Sequence, residues 1–388
     1  MNYNRHDQNS STIGIRVMCA IVFVVFSFCW LYFFQLDVLM VAQHVLSGGL
    51  THYNKTVGAL IITFSLMLLQ LLVYKVVRLK SRNHALTYLP SLLFLGLLSD
   101  FVQKGFDGVT YGFSWWLPVL ILAIWMCVVY VSRMIQSVET DERFHIFFRS
   151  IWVNMLEMAI MIIGVAWLAN TNAVFHYRMA MERHLLEGDN RAALEVGKKS
   201  LESDENLLML RMYALGRTDG LGDHLFEYPV TGSSAQILPT DSSASMMMYP
   251  LDSLYRFIGA RPVGKMTPLR YLELVSLKDS VPSKVVNDYI LCGYLIDRQL
   301  DRFAHAVGNY YEINDSLPND SLPKHYREAL TLYTHMKAHP VIVYHNAVMD
   351  EDYDNLQELE KQYPDKTERK GKVEEQYRGP YWYYYRYE

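Results

Sequence analysis

The chain has 388 residues, of which 51% are hydrophobic, and its 36 basic and 40 acidic side chains give a net charge of −4. The length allows two or three domains. Residues 173–388 carry 25 basic and 32 acidic side chains, a net charge of −7, which argues against a nucleic-acid-binding function because such proteins present a basic face.

Five apolar runs lie between positions 17 and 169, and none follows them. A helix needs about 20 apolar residues to cross roughly 30 Å of hydrocarbon. Four runs predict membrane spans at about 17–36, 56–74, 113–131 and 151–169. The remaining run, 86–99, is short and contains Pro90, so a tilted span, a kinked span and a re-entrant hairpin are all open.

Basic residues decide how the run at 86–99 is interpreted. The segments that flank the five runs contain two, one, four, one and three basic residues in turn. The three rich segments carry Arg5 and Arg16; Lys75, Arg78, Lys80 and Arg82; and Arg133, Arg143 and Arg149. Because cytoplasmic loops collect Lys and Arg, this alternation predicts five spans of a cytoplasmic membrane, with the N-terminus inside the cell.

The sequence thus predicts an all-α protein with three parts. A cytoplasmic segment at 1–16 precedes a bundle of five transmembrane helices at 17–170. An extracytoplasmic helical domain at 171–388 completes the chain, because its sequence shows turn signals between helical stretches and no alternating β pattern of any length.

A stretch near the start of this domain has the pattern of paired helices. Gly188-Asp189 is a turn pair, Ala193 is a small residue on the next helix, and Gly222-Asp223 repeats the turn pair further along. The stretch resembles a tetratricopeptide repeat, and the spacing of the two pairs equals the period of that family, about 34 residues. Asn190 replaces the aromatic residue of the family and Glu205 its proline. The resemblance implies stacked helix pairs with a concave groove for peptides or proteins.

The whole chain also resembles a type of bacterial envelope protein that has several spans followed by an exported helical-repeat tail. That resemblance implies no activity. It agrees with the arrangement predicted from the apolar runs and the basic residues.

One charged side chain falls well inside a predicted span. Glu157 lies three residues after Asn154, so both are on one side of the fifth span. A charge at the centre of a bilayer costs at least about 2.5–3.5 kcal/mol. The pair is either the working site of a transporter or intramembrane enzyme, or a structural hydrogen bond near the headgroups. The scarcity of polar residues in the other spans favours the structural interpretation.

The chain ends in an aromatic run, Tyr381-Trp382-Tyr383-Tyr384-Tyr385. Self-packing is one expectation for it. The other is contact with a partner, since Tyr, Trp and Arg supply much of the binding energy of protein interfaces.

Motifs for catalysis and cofactor binding are not found in the sequence. It has no phosphate-binding glycine loop and no nucleophile elbow, and no catalytic residue, cofactor or metal is predicted. The predicted function is therefore a scaffold for protein partners, anchored in the lipid bilayer and facing the outer side of the cytoplasmic membrane. The identity of the partners and the oligomeric state stay open.

Overall fold

The structure is a computed structural model. It describes residues 3–79, 81–104, 108–138, 145–239, 246–259, 261–262, 266–278, 283–313 and 322–388. Lys80 and Arg143, which the charge pattern includes, lie outside this set. Contacts divide the chain into two units, Met1–Asn172 and Ala173–Glu388. The chain is 74% helical, which confirms the all-α class.

The first unit contains six α-helices and one short hairpin among its described residues. The helices are α1 (Tyr3–Cys29), which continues as a π-helical turn (Trp30–Phe34), α2 (Leu36–Ser47), α3 (Lys55–Val77), α4 (Leu89–Leu98), α5 (Trp116–Val138) and α6 (His145–Leu168). A 3₁₀ segment, Ser81–Tyr88, precedes α4, and strands β1 (Phe101–Lys104) and β2 (Gly108–Tyr111) pair antiparallel after it.

Four stretches of these helices are long and apolar enough to cross a membrane. They are Ile13–Phe34, Lys55–Val77, Trp116–Ile135 and Phe148–Leu168. Only 11% to 28% of each membrane-length window is buried within the protein, and large side chains such as Phe64 and Trp167 are exposed. Because an apolar surface of this extent is unfavourable in water, hydrocarbon is its natural surrounding. Membrane-length helices at these four places are therefore confirmed.

The run at 86–99 differs from the four long helices. It consists of the end of the 3₁₀ segment followed by α4, with Pro90 in the first turn of that helix. The ten residues of α4 rise about 15 Å, half the thickness of the hydrocarbon layer. Helix α4 alone is thus too short to cross a membrane. A crossing at this place would need the whole segment 81–98, the 3₁₀ segment and α4 together.

Segment 81–98 runs in the opposite direction to α3. Three contacts occur in reverse order along the two: the rings of Tyr74 and His84 meet edge-on, Gln70 Nε2 donates to Thr87 Oγ1 (2.9 Å), and Ser91 Oγ donates to the Leu66 carbonyl (2.9 Å). The segment therefore returns along the helix that precedes it.

The same segment runs in the same direction as α6. Near its start, the Ala85 N–H donates to Asn154 Oδ1 over 2.7 Å. Just beyond its end, the Asn170 N–H donates to the Ser99 carbonyl over 2.9 Å. Residues 154–170 of a helical path rise about 24 Å, so the segment accompanies α6 for most of the length of a membrane span.

The second unit contains α7 to α18. The helices are α7 (Ala173–Leu186), α8 (Asn190–Glu195), α9 (Glu205–Arg217), α10 (Leu221–His224), α11 (Leu251–Ile258), α12 (Pro268–Lys278), α13 (Lys284–Ile296), α14 (Leu300–Val307), α15 (Lys324–Met336), α16 (Ala347–Gln362), α17 (Lys366–Tyr377) and α18 (Tyr381–Tyr387). Single 3₁₀ turns lie at Leu225–Glu227 and Ser234–Gln236.

Three helices form the centre of this unit. All residues from Leu207 to Gly216 in α9 and from Asp288 to Ile296 in α13 are buried, as are most of those in α15. A helix that is buried on every side lies inside a domain and not on its surface. At least one of the three is contacted by each of α7, α8, α10, α12, α14, α16 and α18, and α17 packs on α16 and α18.

The helix that follows the Gly188-Asp189 turn is short. It ends at Glu195, and Gly197 has a φ of 62°. This left-handed conformation suits glycine, which has no Cβ to clash, and it cannot continue a right-handed helix.

Candidate functional site

The predicted polar site in the first unit is centred on Asn154, which is fully buried. Its Nδ2 group donates to the Arg82 carbonyl (2.8 Å) and to the Ser150 carbonyl (2.7 Å). Its Oδ1 accepts the Ala85 N–H at 2.7 Å. The amide thus uses its donors and its acceptor on backbone groups, two of which belong to the 3₁₀ segment that precedes α4.

The local backbone explains why such an amide is needed. Asn83 has φ −124° and ψ 32°, outside helical geometry, so the regular helical hydrogen bonds are interrupted there. A backbone group without a partner in hydrocarbon costs several kcal/mol. Asn154 supplies partners on both sides of the interruption, and its place in α6 thereby fixes where the chain turns into α4.

Glu157 lies on the same side of α6, as its spacing from Asn154 predicts. Its Oε1 accepts a hydrogen bond from Asn83 Nδ2 at 2.8 Å, and the side chain is half-buried. Both predicted residues therefore contact the same interrupted segment. These contacts favour the structural interpretation of the pair, and the partner residues in the segment were not predicted from the sequence.

Gly188 and Asp189 form a turn between α7 and α8, as predicted. Gly188 has a φ of 77°, and Asp189 caps α8 by accepting the Ala192 N–H through Oδ1 (2.9 Å). Ala193 is fully buried in α8. A small residue at that place is consistent with close helix contact.

The second Gly-Asp pair has a different role, and its prediction as the same kind of turn is wrong. Gly222 and Asp223 lie inside the short helix α10, and it is Asp219 that has the left-handed φ of 55°. Gly222 packs against Pro323, and Asp223 Oδ1 accepts the Lys324 N–H at 2.7 Å. The pair thus holds the start of α15. The tetratricopeptide-like organisation remains a prediction.

The aromatic C-terminus forms α18, and the interpretation of the whole run as a partner contact needs correction. Tyr381, Trp382, Tyr383 and Tyr384 are buried in the core of the second unit, and Tyr385 is half-buried. The physical reason is capping. The Tyr381 and Tyr384 hydroxyls donate to the last carbonyls of α13, at Leu295 (3.1 Å) and Ile296 (2.7 Å), which have no partner within that helix.

A buried histidine–glutamate pair holds the start of α18. Glu328 Oε2 accepts the Tyr381 N–H at 2.7 Å and lies 2.8 Å from His325 Nδ1. His325 Nε2 accepts the Phe226 N–H at 3.3 Å. Since Nε2 is an acceptor, Nδ1 carries the proton and donates to Glu328. Both side chains are enclosed, so this pair links three chain segments and has no access to a substrate.

A second buried carboxylate was not predicted from the sequence. Glu182 of α7 accepts the backbone N–H groups of Met247, Met248 and Tyr249 at 2.5 to 3.0 Å. Burial raises the pKa of Glu182, while these N–H groups and the Arg178 charge oppose the rise. Consecutive N–H groups that converge on a carboxylate form an anion-binding nest. Because Glu182 fills it and is fully buried, the nest fixes residues 246–249 against α7.

Comparison with known proteins gives a family match over part of the chain and no activity. Residues 273–388 match a family described as a family of unknown function (DUF6057). The match begins within α12, includes α13 to α18 and covers less than a third of the chain. No curated protein and no solved structure matches the chain. A function therefore has to be inferred from the arrangement of the residues.

Substitutions at the two polar residues of α6 should separate structural from chemical roles. Asn154→Leu removes the hydrogen bonds to the Arg82 carbonyl and the Ala85 N–H, and we expect it to lower the free energy of unfolding by about 2–4 kcal/mol. Glu157→Gln keeps an oxygen that accepts from Asn83 and should change stability by less than about 0.5 kcal/mol. Thermal unfolding of the purified protein in detergent measures both. Equal effects of the two variants would contradict the role of Asn154 in holding the 3₁₀ segment.

The nest around Glu182 gives a second prediction. Glu182→Gln turns an NH₂ group toward backbone donors, and we expect a loss of about 1–3 kcal/mol in stability. The matched control is Glu187→Gln just after the same helix, because Glu187 is exposed and its carboxylate lies at the surface beside Arg183 (3.6 Å) and His184 (3.4 Å), where such contacts contribute below about 1 kcal/mol. Chemical denaturation followed by circular dichroism compares them. A control as unstable as Glu182→Gln would refute the assignment.

Proposed function

We propose that this chain is a five-span protein of a cytoplasmic membrane that presents the unit Ala173–Glu388 on the outer side as a scaffold for protein partners. The observation that carries the topology is the path of segment 81–98. It runs opposite to α3 and along α6, which is the course expected of a crossing made by a 3₁₀ segment and a short helix together.

The direction of α1 supports the same topology. Cys19 Sγ lies 4.0 Å from Asn154 Oδ1, and Trp30 Nε1 donates to Ser99 Oγ over 3.1 Å. Since Asn154 and Ser99 mark the two ends of the path of segment 81–98, α1 runs in the same direction as α6. The ends rich in Lys and Arg then gather at one side of the bundle, as the positive-inside rule requires of the cytoplasmic side.

The chemistry of the second unit supports a scaffold more than an enzyme. Four of its buried polar side chains have partners inside the protein: Glu182, Glu328 and His325 bind backbone N–H groups, and Asp288 Oδ1 accepts the hydroxyls of Tyr311 (2.5 Å) and Tyr326 (3.0 Å). Burial raises the pKa of Asp288, and the tyrosine hydroxyls oppose this. Groups that are used in this way hold the helices together.

Most of the aromatic run is buried, and a different apolar surface, around the connection between α15 and α16, is exposed to a partner. Between α15 and α16, Met336, Val341, Val343 and the nearby Val348 are 48% to 65% exposed. The connection is fixed to α15, because the Val341 N–H donates to the Tyr333 hydroxyl over 3.3 Å. Exposed apolar side chains on a fixed backbone are typical of protein contact sites.

The topology is tested by reporter fusions. Fusions of alkaline phosphatase and of green fluorescent protein after residues 79, 113 and 175 should report inside, outside and outside, respectively, because phosphatase is active only outside the cytoplasm. If segment 81–98 does not cross, the fusions after 113 and 175 are both cytoplasmic. Such a result would overturn the five-span arrangement.

The scaffold role is tested by crosslinking in native membranes. A photoreactive amino acid at Val343 of the full-length protein should give a defined protein adduct. The same amino acid at Leu201, an apolar residue that is 58% exposed at another place in the unit, serves as the control and should not. Adducts to lipid alone, or adducts of equal yield at both positions, would argue against a protein-binding surface at Val343.

A further inference from the structure

A surface cavity of about 360 Å³ lies in the second unit, where the α13–α14 turn, the end of α15 and α18 meet. Three cationic side chains line it, Arg298, Arg302 and Lys337, against the single carboxylate of Asp301. Residues 173–388 carry a net charge of −7. The local excess of positive charge is therefore opposite in sign to that of the unit as a whole.

Arg298 is held in place by its backbone and by an aromatic ring. Its φ of 55° is unusual for a residue other than glycine and is unfavourable unless the surrounding structure holds it. Its guanidinium carbon lies 4.8 Å from the centre of the Tyr384 ring, a cation–π contact. Its Nη2 group also donates to the Tyr384 carbonyl over 3.5 Å, so the guanidinium is held against α18 while its other donors have no assigned partner in the part of the chain that the structure describes.

Two further groups at the cavity have donors to offer. Among the residues that the structure describes, neither the Arg302 guanidinium nor the Tyr385 hydroxyl has a hydrogen-bond or ion-pair partner. Lys337 Nζ is paired with Asp301 at 2.8 Å. An incoming anion would therefore meet two arginines directly and would share Lys337 with Asp301.

We propose that this cavity binds a phosphate group, carried either by a small soluble ester or by a lipid headgroup. Guanidinium groups bind phosphate oxygens through pairs of parallel hydrogen bonds. Leu300, Met336 and the Tyr385 ring supply an apolar wall for the organic part of such a ligand. The volume falls at the lower end of the range for small-molecule sites. All of these residues lie in the segment 273–388 that matches the family.

The test uses the full-length protein in detergent and titrates glycerol 3-phosphate by calorimetry at low ionic strength. Arg302→Gln should weaken binding about tenfold or more, because it removes charge-assisted hydrogen bonds. Asp301→Asn should strengthen binding, because it removes the one competing carboxylate. Arg191→Gln, an exposed arginine in α8 outside the cavity, is the control and should bind like the unaltered protein. Unchanged circular dichroism checks that each variant is folded.

A second arm distinguishes the two sources of phosphate. Phosphatidylglycerol and diacylglycerol are added to the detergent-solubilised protein, and retained lipid is measured by native mass spectrometry. Phosphatidylglycerol retained by the unaltered protein but lost from Arg302→Gln, without binding of glycerol 3-phosphate, supports the site and identifies a lipid headgroup as the source. Binding of neither probe, or binding that Arg302→Gln and Asp301→Asn leave unchanged, overturns the proposal.

Discussion

A buried chain segment that leaves α-helical geometry must find partners for its N–H and C=O groups, because apolar surroundings offer none. The 3₁₀ segment before α4 meets this requirement through one amide, since Asn154 bonds the Arg82 carbonyl and the Ala85 N–H. These two bonds hold the start of α4 beside α6. A third bond holds α5 against the same segment, because Trp125 Nε1 donates to the Leu86 carbonyl over 2.8 Å. The first unit therefore depends on polar contacts at its least regular segment.

The second unit meets the same requirement with carboxylates. Glu182 gathers three N–H groups of an irregular segment, and Glu328 gathers the first N–H of α18 and the His325 proton. Burying a charge is unfavourable unless hydrogen bonds compensate it. Here each carboxylate is compensated, so both are part of the fold. In both units, a buried polar side chain holds irregular backbone in place. Asn154, Glu182 and Glu328 therefore have a structural role that involves no substrate.

The parts that could be predicted from the sequence are those that depend on neighbouring residues. Apolar runs set the four long helices, and the turn at Gly188 follows from local backbone preference. Contacts between distant residues could not be predicted. Asp189 caps its own helix, whereas Asp223 receives an N–H from the distant Lys324, although both aspartates follow glycine. Spacing alone does not distinguish these two uses, and it gave no indication that Asn154 would bond Arg82 and Ala85.

The aromatic C-terminus connects the core to the surface of the second unit. The run Tyr381–Tyr385 was predicted to be either self-packed or partner-bound, and the burial of its first four side chains is accompanied by bonds to α13, which lies far earlier in the chain. The same packing places the Tyr384 ring beneath Arg298 and leaves Tyr385 at the rim of the cationic cavity. The arrangement of donors at the cavity is thus set by how α18 fits into the core. Any substitution that loosens α18 should disturb the cavity as well, even where it touches none of the cavity's own residues.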